Sequence, residues 1–318
     1  MEDFKVHILG CGSANPLSKH QPASQVLQMR GKLFMVDCGE GTQMRLARQG
    51  LQMNRINHIF ITHAHGDHCF GLPGLFSTMG LLGRVSTLHI YGPAELQDFL
   101  QATIDVFCQQ MTHTVEFHAV DTTQHQRIYN DRSIEVWTLP LNHRVPCCGY
   151  LFKEKEGARH INRPMIDCYE IPICEIGNIK AGADWTLPDG TVIPNERLTT
   201  PPSPTRSWAY VSDTRVRDEL VPLLRGVGLL FHEATFLNRD LFRAKQTFHT
   251  TSGEAGRIAR MAGAAQLCIG HYSARLKTPG LEGQLLSEAQ EEFPNTILAQ
   301  EGLCIDVPVN TEQSAPRP

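Results

Sequence analysis

The run THAHGDH at residues 62–68 constrains this chain more than any other feature. It sets four side chains able to ligate a metal, His63, His65, Asp67 and His68, within six positions, directly after the apolar segment HIFI at 58–61. A buried strand delivers its end rigidly, and Gly66 lets the following loop fold tightly. Two residues apart in extended chain, His63 and His65 project to one side. Asp67 and His68 are then free to turn toward another. Imidazoles with a carboxylate suit zinc, iron or manganese, and zinc is the commonest choice for a hydrolytic site of nitrogen and oxygen ligands.

Four local ligands do not complete two metals, so others are expected from distant strand ends. His143 follows IEVWTLPL, Asp213 follows WAYVS, and His271 follows QLCIG. Each stands where a strand gives way to a loop, the usual place for a grafted site. A single carboxylate can hold two cations at the roughly 3.5 to 4 Å separation of two-metal hydrolases, and Asp213 is the natural bridge. The expected sets are His63, His65, His143 and Asp213 for one zinc, and Asp67, His68, His271 and Asp213 for the other. A hydroxide shared between the two zincs is the expected nucleophile, because bound water loses its proton near neutral pH.

The remaining chain sets these residues in a layered fold. Strands are predicted at 4–9, 33–37, 58–62, 88–91, 115–120, 134–139, 208–212, 227–231 and 266–269, and helices at 94–110, 215–224 and 252–263. GEGTQMRLARQG predicts a further short helix closed by Gly50, and Thr251 or Ser252 is the expected N-cap of the helix at 252–263. Helices alternate with strands, but several strands follow one another directly. That pattern predicts an α/β fold of the αββα sandwich type. Residues 1–307 are read as one hydrolase domain, with 153–205, rich in Pro, Gly and charge, as an inserted arm. Residues 308–318 read as a disordered tail.

Composition narrows the setting. No stretch reaches the roughly 18 to 20 apolar residues that a membrane helix needs, and MEDFKVHILG reads as a first strand and not as an export signal, so the cytoplasm is expected. Ten cysteines without a Cys-x-x-Cys pair predict reduced, mostly buried thiols and no finger-type zinc cluster. A net charge of −4 gives no general bias toward nucleic acid, so any grip on a polyanion must be local.

ILGCGSANP, VDCGEGTQ at 36–43, THAHGDHCFGLPGL at 62–75, LNHRVPCCGY at 141–150, HEATF at 232–236, TFHTTSGEAGRIA and IGHYSAR at 269–275 together resemble the metallo-β-lactamase superfamily. Within it they resemble the ribonuclease Z family of tRNA 3′-processing endonucleases. The resemblance spans nearly the whole chain. It implies a metallo-β-lactamase-type αββα sandwich, two zinc ions per chain, precursor tRNA as substrate and a homodimer. The implied product is a tRNA with a 3′-hydroxyl. It further implies that Asp67 accepts a proton as well as ligating zinc, and that His249 protonates the leaving 3′ oxygen. Glu233 is then expected either to orient His249 or to partner His232. Arg275 and Arg215 are candidate phosphate contacts.

Two segments depart from the resemblance. PLSKHQPAS at 16–24 lacks the Arg-Asn of many relatives. The arm has no Gly-Pro and carries five Lys/Arg against six Asp/Glu between Lys153 and Asp184. Since phosphate contacts dominate RNA binding, that balance keeps open an alternative substrate, a cyclic nucleotide or other small phosphodiester. A metal-free binding protein on the same fold is the alternative of another class, and the intact ligand set argues against it.

Overall fold

The computed structural model describes residues 3–15, 19–109, 111–275 and 280–310. Two seven-stranded sheets carry the fold. The first runs in the order Cys304–Asp306, Phe4–Gly10, Ser24–Met29, Lys32–Val36, Ile56–Phe60, Leu88–Gly92, Val115–Ala119. Its first four strands pair antiparallel, and from Lys32–Val36 onward the pairing is parallel.

Alternation explains why these strands read as continuous apolar runs. Leu33, Met35, Ile59 and Ile61 point into a cluster with Leu46, Leu72, Leu75, Phe76, Leu96 and Leu100 from the helices Thr42–Arg48, Leu72–Leu81 and Leu96–Phe107. Phe34 and Phe60, on the opposite face, meet Phe152 of the second sheet with ring centroids 6.1 and 5.3 Å apart. Tyr150 also spans the sheets, its hydroxyl donating to the Ile61 carbonyl at 2.6 Å. A strand buried on both faces needs apolar residues at every position. Each such side chain contributes roughly 1.5–3 kcal/mol by burial.

The second sheet runs Thr296–Leu298, Gln266–Gly270, Leu229–Glu233, Ser207–Val211, Cys148–Glu154, Ile134–Pro140, Arg127–Asn130. Helices Ser252–Ala262 and Leu281–Glu292 pack on it and on each other. The layering is therefore helix, sheet, sheet, helix. Four of its strands are parallel and in register, with Val211 beside His232, Ile269 and Leu298 in turn. Their carboxyl ends consequently open at one level, the position favoured for sites in α/β sheets.

Several elements differ from those predicted. Residues 215–224 form turns with one short 3₁₀ segment, Asp218–Leu220, and not a helix. The Thr214 amide donates to Glu233 and the Arg215 amide to the Asn142 carbonyl, so these donors are committed to tertiary contacts. Pro222 removes another donor where a helix would need it. Strands Ser24–Met29 and Cys148–Glu154 and helices Leu72–Leu81 and Leu281–Glu292 carry no strong period in the sequence. Thr251 is the N-cap of Ser252–Ala262 and forms a capping box with Glu254.

The chain divides into two compact units, one of Met1–Tyr129, Val136–Phe152 and Arg206–Pro318, the other of Asn130–Glu135 and Lys153–Thr205. The second has a core of its own, Ile166, Ile171, Ile179, Ile193 and Leu198. The side chain of Asn195 stitches it by donating to the Ile179 and Ala183 carbonyls at 2.7 Å each. The expected tail begins at 308, but residues 311–318 lie outside those described. All ten cysteines are free, and seven are buried. Among the described residues no helix is long and apolar enough to cross a membrane.

Candidate metal centre

The strand Ile56–Phe60 hands the chain to an extended loop, and His65 is still extended when the four-residue helix Gly66–Cys69 begins. That change of backbone separates the ligands of THAHGDH into two pairs, His63 with His65 and Asp67 with His68. Gly66 leaves room for the exposed Phe70 ring. A Cβ there would lie 2.4 Å from the Phe70 ring.

The distant residues converge on the same point. His63, His65, His143 and Asp213 present ligand atoms all within 4.8 Å of one another, and so do Asp67, His68 and His271. Asp213 faces both groups. Its Oδ2 lies 3.8 Å from Nε2 of His63 and of His143, and its Oδ1 lies 3.1 Å from His271 Nε2 and 3.6 Å from His68 Nε2. Asp67 Oδ2 is 3.3 Å from His68 Nε2 and 3.6 Å from His271 Nε2. Tetrahedral zinc with Zn–N of about 2.0–2.1 Å has ligand edges of about 3.3–3.4 Å. His143 Nε2 stands 3.4 Å from His65 Nδ1, and His63 Nε2 stands 2.9 Å from it, a few tenths shorter than such an edge.

Two relays, one on each sheet, aim the imidazoles. On the first, Asp37 is buried, and as a carboxylate it only accepts. It takes the Thr62 amide at 2.9 Å, the Thr62 hydroxyl at 3.0 Å and His68 Nδ1 at 2.7 Å. With its proton given to Asp37, the Thr62 hydroxyl accepts from His63 Nδ1 at 3.0 Å. Both imidazoles are thereby fixed with Nδ1 protonated and Nε2 bare, the tautomer a metal needs. The second relay centres on Glu233, which accepts the Thr235 hydroxyl at 2.6 Å, so that Thr235 accepts from His271 Nδ1 at 2.9 Å. The other Glu233 oxygen takes His249 Nδ1 at 2.8 Å and the Thr214 amide at 3.1 Å. The carboxylate of Glu233 therefore serves His249, while His232 Nδ1 bonds the Glu233 main-chain carbonyl.

These residues fit a cation on two counts. His68 Nε2 and His271 Nε2 are buried with no hydrogen-bond partner. Four carboxylates, Asp37, Asp67, Asp213 and Glu233, are deeply buried with histidines as ion-pair partners. Buried charge in such excess calls for a metal. Against the burial penalty, the surrounding aspartates raise the pKa of His68 well above the ordinary imidazole value, so the site draws positive charge to Nε2, a proton or a cation in its place.

A cavity of about 250 Å³ opens over this cluster, lined by His65, Asp67, His143, Asp213, His249 and His271 and flanked by Arg144 and Arg275. Phe248 takes a left-handed conformation at φ 61°, and the Thr250 hydroxyl donates to the Thr214 carbonyl at 2.7 Å. Together they turn His249 toward the cavity. Burial opposes its charge, but Glu233 prevails and lifts its pKa to about 9. Arg275 lines the cavity. Arg215 does not; its guanidinium lies over the Phe248 ring, 3.7 Å from the centroid, and donates to the Lys245 carbonyl. Asp37, Thr62, Thr235 and Arg144 went unassigned in the sequence. VDCGEG and HRVP carry Asp37 and Arg144, so the motifs marked the places without giving the roles.

Comparison with known proteins agrees with this architecture. The family described as Anti-Pycsar protein Apyc1 matches residues 4–157. The chain is 54% identical over 307 residues to ribonuclease Z of Bacteroides fragilis, covering 96% of this chain and 100% of that protein. Human tRNase Z, short form, is similar in structure with a TM-score of 0.67 and 25% identity, covering 96% of this chain and 100% of its own. The metallo-β-lactamase fold protein YhfI of Bacillus subtilis has a TM-score of 0.66 at 20% identity, over 95% of this chain and 99% of its own. This chain belongs to the ribonuclease Z family, a hydrolytic endoribonuclease built on the metallo-β-lactamase fold.

Proposed function

We propose that the protein removes the 3′ trailer from precursor tRNA and leaves a 3′-hydroxyl on the tRNA. His63, His65, His143 and Asp213 would hold one zinc ion, and Asp67, His68, His271 and Asp213 a second. The observation that carries this reading is the two-faced Asp213 carboxylate in the cavity, with one oxygen toward each histidine group. The names of the relatives, ribonuclease Z and tRNase Z, support the substrate.

When bound, the zinc ions supply a water of lowered pKa and neutralise negative charge that develops on the phosphate. Asp67 would accept the proton that the attacking water loses as the water oxygen bonds to phosphorus. The bond from phosphorus to the 3′ oxygen breaks, and His249 gives that oxygen a proton, since an alkoxide is a poor leaving group. Glu233 keeps His249 oriented and charged for this step. Arg144 and Arg275 meet the flanking phosphates as charge-assisted donors.

Residues 1–307 work as one catalytic domain, 153–205 as its inserted arm and 308–318 as a tail. The arm contributes to the grip on tRNA, and the protein acts in the cytoplasm as a homodimer. Exposed Leu81 and Phe107, at the ends of the helices Leu72–Leu81 and Leu96–Phe107, and exposed Phe70 and Val85 in the segments flanking the first of them, support an interaction surface there. The test is a trailer-bearing tRNA transcript, cut once at the end of the acceptor stem with a 3′-hydroxyl product. Cleavage of small diesters with the transcript left intact would instead support the second reading, a cyclic-nucleotide or small-diester phosphodiesterase, which the arm's near-neutral charge favours. Replacing 155–203 by a short linker separates the two further. A tRNA enzyme then loses transcript turnover and keeps small-diester activity.

A further inference from the structure

Cys11, His20 and Glu301 form a second group of metal-ligating side chains that the reaction does not use. Cys11 is buried, His20 nearly so, and Glu301 partly exposed. Cys11 Sγ lies 3.5 Å from His20 Nδ1, 3.5 Å from Glu301 Oε1 and 3.5 Å from the Ala299 carbonyl oxygen. Tetrahedral zinc with Zn–S of about 2.3 Å and Zn–N or Zn–O of about 2.0–2.1 Å has sulfur-to-ligand edges of about 3.5 Å. All three distances to the sulfur match that value. The His20 Nδ1 to Glu301 Oε2 distance, 3.0 Å, is a few tenths shorter than the corresponding edge. The far nitrogen, His20 Nε2, meets Glu282 Oε1 at 3.2 Å. A carboxylate behind a histidine fixes its tautomer and raises its basicity toward a metal.

We infer that Cys11, His20 and Glu301, with the Ala299 carbonyl, form a structural zinc site separate from the two-metal centre. Zinc enters by displacing two protons. One leaves Cys11, where burial and Glu301 hold the thiol protonated. The other leaves His20, where Glu301 and Glu282 overcome burial to favour the charged ring. Both go to solvent, bonds from zinc to sulfur and nitrogen form, nothing is oxidised, and the net charge of the cluster is unchanged. The ligands come from three separated segments, so no spacing announces them. The site ties down a working loop. The Tyr272 amide donates to the Cys11 carbonyl at 2.9 Å beside His271, and Ser13, Ala14 and Asn15 line the cavity.

Cobalt substitution of the full-length protein tests this directly, because the seven ligands proposed for the two-metal centre include no sulfur. A near-ultraviolet thiolate-to-cobalt charge-transfer band is expected in the wild type. Cys11→Ser should remove that band together with one metal per chain, while the visible bands of the nitrogen and oxygen centre persist. Glu282→Gln keeps every ligand and serves should Cys11→Ser fold poorly. It should weaken zinc retention at this site by about 10- to 100-fold and lower Tm. No charge-transfer band in the wild type, or a band and metal count unchanged by Cys11→Ser, would overturn the inference.

Discussion

The two sheets hold their histidines by the same device and use it differently. On the first sheet Asp37 bonds His68 directly and His63 through Thr62. On the second, Glu233 bonds His249 directly and His271 through Thr235. Both imidazoles of the first relay are fully buried and present Nε2 to Asp213. In the second relay only His271 does so at close range, while His249 lines the cavity with its side chain 15% exposed. On the proposed reading, the first carboxylate orients two metal ligands, whereas the second orients one ligand and one proton donor.

The largest effect should follow from removing what the halves share. Asp213→Ala is expected to abolish transcript cleavage and lower zinc in both ligand groups, read by metal analysis; loss from only one group would mean that Asp213 does not bridge. Next, His249→Ala should lower kcat by about 10²–10⁴-fold, the range for a general acid, with zinc content unchanged. Loss of a zinc would make His249 a ligand. Asp37→Ala should weaken zinc affinity by about 10- to 100-fold, measured by competition with a chelator.

Glu233→Gln should act on the pH profile. A group that must be protonated loses function as pH rises through its pKa. Removing the charge that raises the His249 pKa therefore brings the alkaline fall in rate to lower pH. The smallest effects belong to the linking hydroxyls. Thr62→Val and Thr235→Val each leave a buried donor or acceptor unmet, a cost of about 1–3 kcal/mol readable by denaturant unfolding. Thr62→Val should reduce zinc retention more, because it frees a ligand of a fully buried relay.

Much of the centre was legible in the chain because strand ends and ligand types coincide there. His143, Asp213 and His271 each follow an apolar run, and parallel strands in register bring the last two to one level. Asp37 was less legible. It lies 25 residues from Thr62, and its role depends on a hydrogen bond between neighbouring parallel strands that no local pattern encodes. The false helix at 215–224 arose at the same place for the same reason. Its first amides serve Glu233 and Asn142, so tertiary demand overrode local propensity. The arm's weak periodicity concealed a real core, since its helices have only four to six residues and one apolar contact each suffices to dock them.

The division of labour between the relays is tested most directly by measuring zinc per chain and the single-turnover rate on a trailer-bearing tRNA transcript in Asp37→Asn and Glu233→Gln side by side. The account predicts that Asp37→Asn loses zinc and regains rate when zinc is added, whereas Glu233→Gln keeps most of its zinc and stays slow. Equal zinc loss in the two variants, with rate restored by zinc in both, would contradict it.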